Sequence, residues 1–202
     1  MTTRVFLDAC VLFPPLVRGC LLSAAAEDLV APCWSPGVVG EWAHAVARDH
    51  GPDAAAAVRA EAEAMAVRWP EGLASAAPGE GPVQGPEAGA PGPEPGFTLP
   101  DAGDVHVLSA ALAARADLLV TFNLRDFPAR KLREMGLAPI HPDALLWELG
   151  GREPQAMGRA LARALRPFPA LSGAAEAAGG LKRARLPRLA KMVRRGEIAP
   201  AR

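Results

Sequence analysis

Six residues able to act as acids or as ligands occur at four places along the 202-residue chain: Asp8, Glu41, Asp101 with Asp104, and Asn123 with Asp126. All offer oxygen. Carboxylates gathered in one pocket repel one another unless some are protonated or a cation neutralises them. An all-oxygen donor set suits Mg2+ or Mn2+ rather than zinc. Gathered in one pocket, these oxygens would make a site for a hard divalent cation. Each residue also has a plainer reading. Asp8 ends an apolar run, as turn residues do, and Asn123 and Asp126 are ordinary turn-formers. Asp101 and Asp104, three apart, suit a helix cap and its first-turn partner. Glu41 is harder to set aside, because a carboxylate between the apolar Val38 and Trp42 needs a partner.

The elements around these residues decide whether they can meet. Arg4-Val5-Phe6-Leu7 reads as a short buried strand that stops at Asp8, and 16–27 carries apolar residues at helical spacing. Trp34-Ser35-Pro36 is a helix start, with Ser35 as cap and Pro36 at the first helical position. That helix should run to about Asp49 with Val38, Trp42, Ala45 and Val46 inward, followed by an Ala-rich helix over 52–69. A helix over 105–115, a buried strand over 117–122 and a helix over 128–135 come next. A third strand is expected around 139–141 and a helix over 142–149. Strands alternating with helices predict an α/β fold with a mainly parallel central sheet in a three-layer α/β/α sandwich. Ligands of such sheets gather outside the carboxyl ends of the strands, which is where Asp8, Asn123 and Asp126 fall.

Between 70 and 100, 15 of 31 residues are Gly or Pro, with almost no large apolar side chains. Such a stretch cannot offset the entropy of ordering itself and is expected to be a flexible insertion. Beyond Gly151 a helix over 154–166 sets Met157, Leu161 and Leu165 apart from Arg159, Arg163 and Arg166. A Gly/Ala linker is expected next, and then 182–195 holds seven basic residues and no acidic one. Charge divides with this boundary. Residues 152–202 hold 12 Lys or Arg against 3 Asp or Glu, leaving the first 151 at −9 and the remainder at +9. The expected organisation is a domain over 1–150 and a basic helical C-terminal extension over 151–202.

Four ordered stretches resemble one known family. Val5-Phe-Leu-Asp8-Ala-Cys-Val-Leu-Phe-Pro and Trp34-Ser-Pro-Gly-Val-Val-Gly-Glu41-Trp are the first two. Leu99-Pro-Asp101-Ala-Gly-Asp104-Val-His-Val-Leu-Ser-Ala-Ala and Leu119-Val-Thr121-Phe-Asn123-Leu-Arg-Asp126-Phe-Pro are the others. Together they are similar to a PIN domain over roughly 4–147, and most similar to bacterial PIN proteins related to VapC-type toxins. The resemblance implies a Mg2+- or Mn2+-dependent endoribonuclease leaving a 5′-phosphate and a 3′-hydroxyl. It implies Asp8, Glu41 and Asp104 as metal ligands, with Asp101, Asn123 and Asp126 completing or supporting the site. Asp8, Glu41, Asp104 and Asp126 would carry catalysis, and Thr121 would orient the site from behind. A homodimer and, for a toxin, a small antitoxin protein are the implied partners. Three features depart from the pattern. Cys10 stands where such domains often have Asn, Ser or Thr, and is a poorer hydrogen-bond partner. Asn123 stands where many relatives carry Asp. The chain is also longer than compact toxins of this kind.

The basic extension has two readings that do not exclude each other. Lys182, Arg183, Arg185, Arg188, Lys191, Arg194 and Arg195 would bind RNA phosphates without reading sequence. Alternatively, Leu186, Leu189 and Val193 dock a helix whose charges are merely solvated. Arg18 and Arg125 are further candidates for phosphate contact. Other chemistries find little support. His44, His50, His106 and His141 are scattered and form no Ser/His/Asp or Cys/His set, and His106 alone, beside Asp104, belongs near the site, more naturally as a structural residue. A haloacid-dehalogenase-like phosphatase needs a second Asp where Cys10 stands, and a phospho-receiver needs an acidic pair ahead of the first strand. No nucleotide-binding GxxxxGK[ST] occurs. The rival from another class is a catalytically silent PIN domain that binds RNA or protein. Cys10, Cys20 and Cys33 are odd in number and never CxxC, which speaks against a disulfide scaffold and for a reducing cytoplasm. The opening apolar segment is only four residues, too short for a signal peptide, and no apolar run approaches membrane-spanning length.

Overall fold

The computed structural model describes residues 2–74 and 99–200, so most of the Gly/Pro-rich insertion expected at 70–100 lies outside the described residues. The chain divides into two compact units. One comprises 4–13 and 32–139, and the other 1–3, 14–31 and 140–202.

The first unit is built on a parallel sheet of four strands, β1 (Arg4–Leu7), β2 (Ala31–Cys33), β3 (Leu118–Val120) and β4 (Ala138–Ile140), in the order β2-β1-β3-β4. β1 and β3 are the central pair, in parallel register Val5↔Leu118, Phe6↔Leu119 and Leu7↔Val120. Central parallel strands are covered on both faces, so they read as apolar runs instead of alternating; Phe6, Leu7, Leu119 and Val120 are all fully buried. The α/β fold with a mainly parallel sheet is therefore as expected. Four-residue α1 (Ala9–Leu12) follows β1 directly, and α3 (Pro36–His50), which contacts it, follows β2. Ser35 Oγ accepts the Val38 N–H at 3.2 Å, capping α3 as its sequence predicts. Its buried face is Val38, Trp42 and Ala43, whereas Ala45 and Val46 are only half-buried. α4 (Ala54–Arg68) packs on α3, and α5 (Val105–Ala113) and α6 (Ala129–Glu134) complete the unit.

β2 has no counterpart among the strands expected from sequence. A three-residue strand containing Pro32 lacks both the length and the pattern of a strand, yet Cys33 is fully buried and the chain continues into a parallel bridge between Trp34 and Leu73. Gly72 makes that bridge possible: a Cβ there would sit 2.6 Å from the Pro32 carbonyl oxygen and 2.7 Å from the Trp34 ring.

In the other unit, α2 (Pro15–Ala25) packs against both α7 (Pro142–Arg152) and α8 (Pro154–Leu165). Glu27 accepts from Arg159 at 2.8 Å and from Arg163 at 2.9 Å. The expected Gly/Ala linker is instead largely helical, as α9 (Ala174–Arg183). Its glycines serve approach, since a Cβ on Gly180 would meet the Leu171 side chain at 2.7 Å. The basic stretch 182–195 is shared between the end of α9 and a further helix. Arg185 adopts a left-handed conformation (φ 65°), Pro187 follows, and α10 (Pro187–Arg194) begins there. Asp143, on α7 and only 4% exposed, accepts the backbone N–H groups of Arg188 (3.0 Å) and Leu189 (3.1 Å), so it caps α10 from a distant part of the chain. Leu186, Leu189 and Val193 are buried, as a docking stripe should be. Among the described residues, no helix is long and apolar enough to cross a membrane.

Candidate active site

Parallel pairing of β1 with β3 makes the segments leaving their C-terminal ends emerge side by side. Asp8 is the first residue beyond β1, and its N–H donates to the Val120 carbonyl at 3.2 Å, extending the ladder by one step. Thr121 is the first residue beyond β3 and is fully buried. Its hydroxyl donates to Asp8 Oδ2 at 2.6 Å and accepts the Asn123 N–H at 2.9 Å. One side chain thereby orients both the carboxylate of one strand end and the backbone of the next loop.

Cys10 performs more than its residue type suggests. Its thiol donates to the same Asp8 Oδ2 at 3.0 Å and accepts the Phe122 N–H at 3.2 Å, with Thr121 Oγ1 3.4 Å away. Burial and then the Asp8 charge push the thiol up to about 12, so it keeps its proton at neutral pH and remains a donor. A thiol is a weaker hydrogen-bonding group than a hydroxyl or amide, yet it makes each of these contacts here. The sequence signal was its spacing, two residues past Asp8.

Asp104 closes the short 3-10 turn Ala102–Asp104 ahead of α5, and its side chain caps nothing. Burial first, then the charges of Asp8, Asp101, Asp126 and Glu41, raise its carboxyl to about 6. Five carboxyl groups drawn from four stretches of sequence thus share one electrostatic neighbourhood. Asp101 is exposed and has a turn-forming role as well, its Oδ1 accepting the Gly103 N–H at 2.8 Å.

Glu41 differs from its sequence expectation. Its side chain is 48% exposed, bordering the buried face of α3 instead of lying within it. A partner is nonetheless present: Glu41 Oε1 lies 3.2 Å from His106 Nε2. His106 Nδ1 lies 2.6 Å from the Gly103 carbonyl. Nδ1–H can donate to that carbonyl while Nε2–H donates to the glutamate only when both ring nitrogens carry a proton, as in the imidazolium. His106, expected to be structural, therefore links α3 to the turn that carries Asp101 and Asp104.

Asn123 and Arg125 are exposed and Asp126 is half-buried, in a turn closed by the Asp126 N–H donating to the Asn123 carbonyl at 3.0 Å. Arg18 lies on α2, half-buried, in the unit that does not contain this cluster. Lys182, Arg183, Arg185, Arg188 and Lys191 belong to that same unit. Arg188 is already engaged, its guanidinium 5.6 Å from the centroid of the Trp147 ring.

Among the described residues, no three His, Cys, Asp or Glu side chains form a ready-made cation cage. The donor chemistry fits a hard divalent cation all the same. The set is carboxylate and amide oxygen, and the mutual repulsion acting on Asp104 is what a cation would reverse.

A family model described as PIN domain matches residues 3–125. That span contains Asp8, Glu41, Asp101, Asp104, Thr121 and Asn123, and ends one residue before Asp126. No match was found among curated proteins or among solved structures.

Proposed function

From the premise that this chain belongs to the PIN domain family, whose members are generally nucleases, we propose that it is a Mg2+- or Mn2+-dependent endoribonuclease. The observation that carries this reading is the set of carboxylates acting on Asp104. Asp8, Glu41 and Asp104 would hold the ion, with Asp101, Asn123 and Asp126 completing its surroundings. The ion, when bound, supplies Lewis acidity that polarises a phosphoryl oxygen and acidifies water. Thr121 and Cys10 hold Asp8 in one rotation, so its free edge is presented without a reorganisation cost. His106 braces Glu41. Arg125, exposed beside the cluster, would meet a substrate phosphate. In this reading 1–150 is the nuclease domain and 151–202 a basic extension to it.

The test is incubation of a mixed, structured RNA with purified protein in Mn2+, Mg2+ or EDTA, beside Asp104→Asn. Metal-dependent cutting that the variant loses is the expected result. RNA that binds but stays intact in every metal would instead identify a silent binding module. A toxin role further requires an antitoxin, which co-purification with the product of a neighbouring reading frame would reveal.

A further inference from the structure

The seven cations of 182–195 are not equivalent. Three of them, Lys182 from α9 and Lys191 and Arg194 from α10, line one pocket of about 390 Å3, within the range of ligand sites. Lys191 and Arg194 are three apart on α10 and so lie on one face. Ala175, Ala178, Gly179, Pro187 and Ala190 line the rest, small side chains that leave the cationic groups standing above a shallow apolar floor. All three cations are exposed, and among the described residues none forms an ion pair. The nearby carboxylates are otherwise placed. Glu176 folds back beside Gly173 at the start of α9, and Glu197 pairs with Arg195 at 3.4 Å. By contrast, Arg188 stacks over Trp147. Three positive charges around one concavity repel one another, and a bound polyanion is the complement that relieves this.

We infer that the α9–α10 pocket binds the phosphodiester backbone of RNA, with Lys182, Lys191 and Arg194 as its phosphate contacts. The choice of RNA as the polyanion rests on the nuclease reading; the pocket and its charge do not. Contacts of this kind add affinity without reading sequence, and each one steepens the dependence on salt.

The test is fluorescence-anisotropy titration of a labelled single-stranded RNA in EDTA across a NaCl series. It compares the wild type with Lys182→Gln/Lys191→Gln/Arg194→Gln and with the charge-matched control Arg130→Gln/Arg133→Gln/Arg152→Gln. Loss of three contacts should flatten the slope of log Kd against log [NaCl] by about 2. It should also weaken binding at least tenfold, with the control close to wild type. Equal losses in both variants would overturn the pocket in favour of a diffuse field. An unchanged slope in the pocket variant, or no RNA binding by the wild type, would also overturn it. Displacement of the RNA by millimolar inorganic phosphate would reassign the pocket to a small phosphate ligand, and binding of polyglutamate in place of RNA to an acidic protein. Because EDTA removes cleavage from the measurement, the nuclease reading fails separately, on intact RNA in Mn2+.

Discussion

Thr121 shows how one hydroxyl couples two strand ends. Thr121→Val keeps the shape but leaves Asp8 Oδ2 without its 2.6 Å donor and the Asn123 N–H without its acceptor. Urea denaturation should show a cost of about 1–3 kcal/mol, and metal-dependent cleavage should fall about 10–100-fold. At Cys10 the expected order of cleavage rates is Cys10→Ser close to wild type and Cys10→Ala well below it, since serine retains a donor to Asp8 and an acceptor for Phe122. Asp104→Asn should separate stability from function. Removing one charge from a crowded set raises the melting temperature of the metal-free protein. Saturating Mn2+ should raise the wild-type value by several degrees and leave the variant unmoved. A variant that gained as much from Mn2+ as the wild type would remove Asp104 from the ligand set.

Among the elements, α7 and α10 are held by two polar caps. Asp143→Ala would strand the Arg188 and Leu189 N–H groups at the buried start of α10, costing on the order of 2–3 kcal/mol in denaturant titration. His141 caps α7 through Nδ1, which accepts the Asp143 N–H at 3.1 Å. Burial depresses the His141 pKa, Asp143 acts to raise it, and Arg185 and Arg188 add to the depression. A histidine with a lowered folded pKa gives its full stabilisation above the unfolded value of about 6.5 and loses it as pH falls below. Melting curves from pH 7.5 to about 5.5 should therefore drop further for the wild type than for His141→Asn, which caps without titrating. The same elements show what sequence could reveal. β1, β3 and the capped start of α3 were legible because burial and capping leave local marks, in Val5-Phe6-Leu7 and in Ser35-Pro36. The candidate site was legible as residue types, since acids at strand ends and helix starts are visible one by one. β2 and α9 were not, because Pro32 and Gly180 are read locally as breakers. Their reasons are tertiary: a bridge to Leu73 and the approach of Leu171. The braces, Cys10 on Asp8 and His106 on Glu41, likewise join residues whose meeting only the fold determines.

At the level of the whole molecule, zero net charge conceals −9 in the first 151 residues and +9 in the rest. Copies of such a chain attract one another in dilute salt, where the Debye length is roughly 20 Å at about 20 mM. Light scattering should show mass-average association that declines as NaCl rises to about 300 mM. A mass independent of salt would mean that the opposing charges are satisfied within each copy.

The helix α2 belongs with α7 and α8 although roughly 130 residues separate it from α8. On the ribosome, α2 is made early, and its apolar face waits on the order of ten seconds for the helix that covers it. The strands of the sheet, by contrast, are all made once residue 140 has emerged. A transcript broken after the codons for the first 150 residues would thus yield a chain with a formed sheet and a sticky helix, matter for chaperones and proteases. Synthesis of the last fifty residues is what ends that exposure.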